Sequence, residues 1–366
     1  VHSWLHRVQM GKARLSTTPC IDCRLAARQL DNPSIDMEGV LSFQKKIVQK
    51  NAKGVEYLLQ KNGVTTVHGT GRLDGLNSIR VVIDDQTEKL VEAKNIILAT
   101  GSVAARPGFL DWSTDKIITS DEALRLSSVP GKVVVLGAGA VGCEFASILN
   151  SFGSDVTLVE MMDRLLPIED HECSAELQRS FKKHGIRSMV STKLEKATPT
   201  ASGVDLVLTD GNGKTEEIQA DILLCAIGRK PVTDGLKLDQ FGIKTENGFI
   251  PVNPDQSTTR PNIFAIGDIV HGTAQLAHVA SAEGMIAVES IAGKHTQPIV
   301  NERVPNATDC HPEVASIGLT ENAAREAGHT LKVSKFPLSA LGKSGIVGKA
   351  IPGFFKIIAD EQYGEI

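Results

Sequence analysis

Three glycines and one acid carry the clearest chemistry in this chain. Gly137, Gly139 and Gly142 stand at G-x-G-x-x-G spacing, and Glu160 follows 18 residues after the last of them. Glycines at this spacing permit a tight turn, close approach of a pyrophosphate to the backbone, and tight packing of a helix on a strand. The helix that opens there, through Ala138, Ala140 and Val141, offers unpaired N–H groups and the positive end of its dipole to phosphates. A carboxylate at position 160 can accept hydrogen bonds from both ribose hydroxyls and would repel a 2′-phosphate. The pattern therefore reads as a dinucleotide site that prefers NAD over NADP. The elements needed to position these groups are legible around them. Residues 133–136 form a short apolar, β-branched run that reads as a buried strand, 144–152 have helical periodicity, and 156–159 read as a second buried strand ending at Glu160.

Composition sets the frame. The chain has 366 residues, 41% of them hydrophobic and 22% charged, with mean hydropathy near zero and a formal charge of -4. That is the profile of a globular protein of two or three domains. It gives no basic field for nucleic acid, and no apolar run reaches the ~18 residues that span a bilayer. Six cysteines, at 20, 23, 143, 173, 225 and 310, are too few and too scattered for a secreted disulfide framework. A cytoplasmic location is expected. Cys20 and Cys23 form a C-x-x-C pair, which needs a strand before it to read as a redox motif and has none. Two thiolates fall short of a zinc site. Cys143 and Cys225 sit in apolar elements and read as core residues. No metal site and no catalytic residue is assigned.

Further elements are expected along the chain. Residues 37–61 read as an amphipathic helix, and 64–67, 78–84 and 89–93 as short antiparallel strands. Residues 95–99 form a buried strand running into Thr100, Gly101 and Ser102. A helix is expected over 117–126, capped by Thr119 or Ser120. Beyond the glycine motif the pattern gives a helix at 171–184, strands at 187–190, 203–210 and 218–227, a strand at 263–266 ending before Gly267-Asp268, and a helix at 274–292. From about residue 301 it changes to strand, helix (320–328) and strand (354–359). The last of these is expected to present an unpaired edge. Residues 1–31 read as an anomalous segment, basic over 1–30 with one acid, Asp22. The chain is expected to be truncated at both ends.

Together these segments resemble the pyridine-nucleotide-disulfide oxidoreductases, and within them the dihydrolipoyl dehydrogenase branch. The resemblance rests on Ile97-Leu98-Ala99-Thr100-Gly101-Ser102, the 137–160 unit, Ala226-Ile227-Gly228-Arg229-Lys230-Pro231, the 263–268 segment, Gln275-Leu276-Ala277-His278, Cys310-His311-Pro312-Glu313-Val314-Ala315, and Gly318-Leu319-Thr320-Glu321, all in family order. It implies an α/β fold with Rossmann-like FAD- and NAD-binding domains and part of an α+β dimerisation domain. The expected divisions are 32–115 and 241–302 for the FAD domain, 116–240 for the NAD domain and 303–366 for the interface.

By the same resemblance, Leu194 would lie near the adenine and Gly228 would line the nicotinamide side. Gly71, Thr100, Gly101 and Ser102 would approach FAD. Asp268 would accept a hydrogen bond from the ribityl chain, with Gln275, Leu276, Ala277 and His278 beside the isoalloxazine. Asp268 also fits on physical grounds, since a carboxylate at a strand's C-terminal end faces the ligand crevice.

The implied activity moves two electrons from a dithiol to NAD+ through an enzyme disulfide and FAD. The implied partner is the dihydrolipoyl domain of an acyltransferase in a 2-oxo-acid dehydrogenase complex, and the implied assembly is a homodimer. The chain departs from the family pattern at several points. It has no glycine motif before residue 137, no cysteine pair with four residues between its members, and no histidine–glutamate base. Glu144 matches a family acid that pairs with a lysine of the disulfide helix, and no such lysine is found. A buried Glu144 would have a raised pKa, and an exposed one would be an ordinary helix residue. His278 and His311 match positions expected to be structural. Little activity is expected from these residues alone. The alternatives are a glutathione- or mercuric-type reductase, which would want basic residues after Glu160, and an inactive NAD-binding fragment.

Overall fold

The computed structural model describes residues 35–347 and 353–366. The Cys20–Cys23 pair and the basic N-terminal segment lie outside the described residues. The chain divides into two compact units. Of the described residues, one contains 35–47, 104–228, 305–347 and 353–366; the other contains 48–103 and 229–304. In this division the C-terminal module groups with the glycine-motif segment.

The first unit is built on a five-stranded parallel sheet. Across it the strands run Ile117–Ile118, Ile222–Cys225, Lys132–Leu136, Asp155–Val159 and Arg187–Met189. The central strands are nearly continuous β-branched and aliphatic runs because both faces are covered. On one face, Val133, Val135, Val156 and Leu158 pack with Phe145, Ala146 and Leu149 of the helix Ala140–Ser151 and with Leu177 and Phe181 of the helix His171–Lys183. On the other, Val134, Leu136 and Val159 pack on Leu194, Leu206 and Leu208 of a three-stranded antiparallel sheet, Thr192–Pro199, Val204–Asp210 and Thr215–Ala220.

Two expectations are corrected here. The run 218–227 is not one strand. It is cut at Asp221, whose carboxylate accepts the N–H groups of Gly131 and Lys132 at 2.7 and 2.9 Å. The strands on either side of it join different sheets. The expected helix 117–126 contracts to one turn, Ser120–Ala123. Thr119 caps it with Glu122 in a capping box, and Ile117–Ile118 is drawn into the parallel sheet instead.

The C-terminal part of this unit pairs Asn306–Thr308 with Val314–Ser316, and Leu331–Pro337 with Phe354–Asp360. Strand Phe354–Asp360 takes the earlier strand as its partner on one side, reached across the short helix Gly342–Val347; in this two-stranded sheet its other edge has no strand beside it among the described residues, so the expected open edge at 354–359 remains. The Lys356 side chain of this hairpin is only 6% exposed. Its ammonium meets Asp170 at 2.9 Å, Glu172 at 2.9 Å and Glu321 at 2.8 Å.

The second unit has a core of Leu73, Ile96, Leu98, Leu238, Ile250 and Ile263, among others. Strand Ile96–Leu98 pairs in parallel with Ile263–Ala265, across 165 and more positions of sequence. A three-stranded meander, Thr70–Gly75, Ser78–Asp84 and Thr87–Glu92, lies nearby in sequence. The expected strand at 64–67 is displaced to Thr70–Gly75. Gly75 pairs with Ser78, so the hairpin closes over Leu76 and Asn77, and a strand ending at 67 would need a far longer loop. The helix Met37–Lys61 has the bounds read from the sequence, and Val40 is its buried residue.

Candidate nucleotide and flavin sites

The glycine turn forms because other side chains would not fit. Gly137 has φ +100, and a Cβ there would lie 2.6 Å from the Ala226 carbonyl oxygen. At Gly142 a Cβ would lie 1.8 Å from the Gly137 carbonyl oxygen. The first turn of helix Ala140–Ser151 is thus pressed against the end of strand Lys132–Leu136. Around the Cβ position of Gly139 there is no atom within 4 Å. Gly139 is the helix N-cap, and its cap makes no side-chain hydrogen bond. The amides at Ala140 and Val141 belong to this first turn, whose N–H groups have no carbonyl partner within the helix. This is an open, backbone-lined cradle that fits a pyrophosphate.

Glu160 stands at the end of strand Asp155–Val159, beside that cradle. Its Oε2 accepts the Ala138 N–H at 2.6 Å and its Oε1 accepts the Met162 N–H at 2.8 Å. Two backbone amides therefore fix the carboxylate, while each oxygen keeps a lone pair for a ribose hydroxyl. Arg164, four positions on, was passed over in the sequence. Its guanidinium is turned to Asp163 at 3.1 Å and to the Pro167 carbonyl at 3.0 Å. Met161 and Met162 are exposed. Leu194 is buried in the core beside Val159, and Gly228 has φ +130 with open space around its Cβ position.

Glu144 is buried on the same helix. Its Oε1 accepts the Asp309 N–H at 2.9 Å. Burial pushes its pKa up to about 7; the Asp309 N–H opposes this and the Asp309 carboxylate adds to it. One turn on, Ser147 Oγ accepts the His311 N–H at 3.0 Å, and the His311 ring packs edge-on against His184. This polar pair holds the 309–311 segment on the helix, a role that an i, i+3 pair of Glu and Ser on an otherwise apolar helix could have signalled. Burial raises the pKa of all four described cysteines: Cys173 to about 11, Cys310 to about 12, and Cys143 and Cys225 also upward. They are free thiols with little thiolate at neutral pH. No cluster of metal-binding side chains occurs among the described residues.

In the second unit, Ser102, Arg229 and Asp268 converge. Ser102 Oγ donates to Asp268 at 2.5 Å and accepts from Arg229 Nε at 2.7 Å, while Arg229 also donates to the Ser102 carbonyl at 2.7 Å. The Arg229 side chain, missed as a functional group in the sequence, thus fixes Ser102 and stands 3.9 Å from Asp268. Thr100 Oγ1 donates to the Val232 carbonyl at 2.5 Å, and Gly101 has φ +72. Gln275 reaches the Asp268 carbonyl at 3.3 Å, and Leu276 caps the helix Ala277–Ile291, which carries Ala277 and His278 in its first turn. Gly71 lies apart from this group in sequence, on strand Thr70–Gly75, exposed and paired with Val81. Hydroxyl, carboxylate and guanidinium at the end of strand Ile263–Ala265 make a polar corner that fits a hydroxylated ligand chain.

Residues 9–284 match the family model described as pyridine nucleotide-disulphide oxidoreductase, and residues 304–366 match its dimerisation domain. The first match begins well before residue 32, where the sequence resemblance was expected to start. The chain is 40% identical over 335 residues to a dihydrolipoyl dehydrogenase of Chlorobaculum tepidum, covering 92% of this chain and 71% of that protein. It is 37% identical over 357 residues to that of Bacillus subtilis, covering 93% of this chain and 75% of that protein. Among solved structures, LpdA of Mycobacterium tuberculosis superposes with a TM-score of 0.87 at 24% identity, over 98% of this chain and 78% of that one. The flavoprotein disulfide reductase RclA of Escherichia coli gives 0.82 at 23% identity, over 98% and 77%. These two show the shared fold. No helix among the described residues is long and apolar enough to cross a membrane. The chain belongs to the pyridine nucleotide-disulphide oxidoreductase family, whose members use FAD and NAD, and it carries residues of that family's dimerisation domain.

Proposed function

We propose that this chain works as a dihydrolipoyl dehydrogenase, an oxidoreductase that passes two electrons between a dithiol and NAD+ by way of FAD. The observation that carries the cofactor choice is Glu160, braced by two amides at the mouth of an open glycine cradle. Gly139, Ala140 and Val141 would meet the diphosphate of NAD through their amides; Ala138, whose N–H is given to Glu160, would hold that carboxylate to accept from the ribose. Leu194 would support the adenine side from the core, and Gly228 would leave room for the nicotinamide. Arg164 is turned to Asp163 and to the Pro167 carbonyl, which disfavours its use for a 2′-phosphate. This favours NAD and weighs against a glutathione- or mercuric-type reductase.

Thr100, Gly101, Ser102, Asp268 and the segment Gln275, Leu276, Ala277 and His278 would hold FAD, with Gly71 contributing from its strand. FAD supplies the two-electron exchange between thiol and nicotinamide chemistry. The chain's own residues orient it and exclude water. The substrate would be the dihydrolipoyl domain of an acyltransferase in a 2-oxo-acid dehydrogenase complex, the assembly a homodimer and the location cytoplasmic.

The test is spectroscopic. The full chain, incubated with FAD and desalted, should keep a yellow flavin band that bleaches anaerobically with NADH and not with NADPH. A colourless protein that also fails to bind NADH would overturn the proposal.

A further inference from the structure

The helix Ala277–Ile291 carries a fully buried carboxylate, Glu283. A buried acid is costly unless it holds something in place. Its Oε2 accepts the Gly267 N–H at 2.5 Å. Its Oε1 is buried and makes no hydrogen bond, although the Thr273 hydroxyl is close enough to favour the charged form. Gly267 opens the single turn Gly267–Ile269 with φ +73, and its Cβ position lies 3.3 Å from Ala280, one helical turn before Glu283. The helix therefore touches this turn at two points on one face, once by packing and once through a hydrogen bond to a carboxylate. The next residue is Asp268, which receives the Ser102 hydroxyl at 2.5 Å and stands beside Arg229. Burial and the neighbouring Asp268 carboxylate both push the pKa of Glu283 up, against the Gly267 N–H and Thr273.

We propose that Glu283 is a positioning residue: by anchoring the Gly267 amide it fixes the direction in which Asp268 presents its carboxylate to FAD. The proposal rests on the reading of Asp268 as part of the flavin site. The acceptor oxygen is what matters, so Gln should serve in place of Glu and Leu should not.

The test compares Glu283→Gln and Glu283→Leu in the full chain. Amide exchange over residues 263–270 and FAD affinity are the readouts; exchange of strand Ile96–Leu98 and NADH affinity are the controls. Loss of a hydrogen bond to a charged acceptor should raise exchange at the turn and weaken FAD binding about tenfold in Glu283→Leu. Glu283→Gln should stay within about twofold of wild type on both readouts. Equal exchange and equal FAD affinity in wild type and Glu283→Leu would overturn the proposal, as would a Gln variant as impaired as the Leu variant. A wild-type chain that takes up no FAD would instead sink the flavin reading, and the exchange comparison alone would still decide the role of Glu283.

Discussion

In the first unit, Ala138 and Glu160 meet across 22 positions of sequence, and one strand–helix–strand segment supplies the whole cradle. In the second, Ser102 meets Arg229 across 127 positions and Asp268 across 166. The first site is held by the covalent geometry of a short turn and by steric exclusion at glycines. The second exists only once distant strands have paired. A local site tolerates few changes of shape but can be read directly from sequence. A distributed site depends on side-chain hydrogen bonds, which can be removed one at a time.

The largest expected effect breaks the local site. Gly142→Val places a branched side chain where even a Cβ would lie 1.8 Å from a backbone oxygen. Overpacking against backbone should cost roughly 3 kcal/mol or more. Soluble yield should fall and NADH binding should be lost, as read by thermal melting and titration.

Lys356→Met comes next. It leaves Asp170, Glu172 and Glu321 facing one another without their shared cation. Opening this partly exposed ion cluster should cost about 2 kcal/mol, measurable by urea unfolding.

Arg229→Leu sharpens the contrast between the sites. It removes two hydrogen bonds to Ser102, so FAD affinity should fall by about 2 kcal/mol while NADH affinity holds.

The smallest effect is a pH dependence. The folded pKa of Glu144, about 7, lies above its ordinary value of 4.5. Its protonated form is therefore favoured by folding, and that contribution is lost as pH rises from about 4.5 through 7. Glu144→Gln keeps an acceptor for the Asp309 N–H and carries no charge. Its melting temperature should gain on wild type between pH 5 and pH 8. A gap that does not change with pH would mean that Glu144 ionises freely in the fold.

The same contrast explains what could be read in advance. The parallel strands around Val133 to Val159 announce themselves as apolar β-branched runs, and Gly137, Gly139, Gly142 and Glu160 as a spaced motif. Residues 218–227 also look like one strand, because the break at Asp221 is made by amides 89 and 90 positions earlier. Residues 117–126 look helical because their pattern does not reveal that Ile117 and Ile118 complete a sheet whose other members lie far along the chain. The strand Leu331–Pro337, partner of Phe354–Asp360, is missed for the same reason. Arg229 and Glu283 carried no local signal: one is a charge after a glycine, the other an acid in a helix. Their importance comes from partners at Ser102 and Gly267 that only the folded chain brings close.

The central claim is that an amide-braced Glu160 selects the unphosphorylated ribose. Calorimetric titration of the wild-type chain and of Glu160→Ser with NADH and NADPH tests it most directly. Wild type should bind NADH at least about tenfold more tightly than NADPH, and Glu160→Ser should lose most of that preference. Equal affinities in wild type, or a preference untouched by the substitution, would contradict the account.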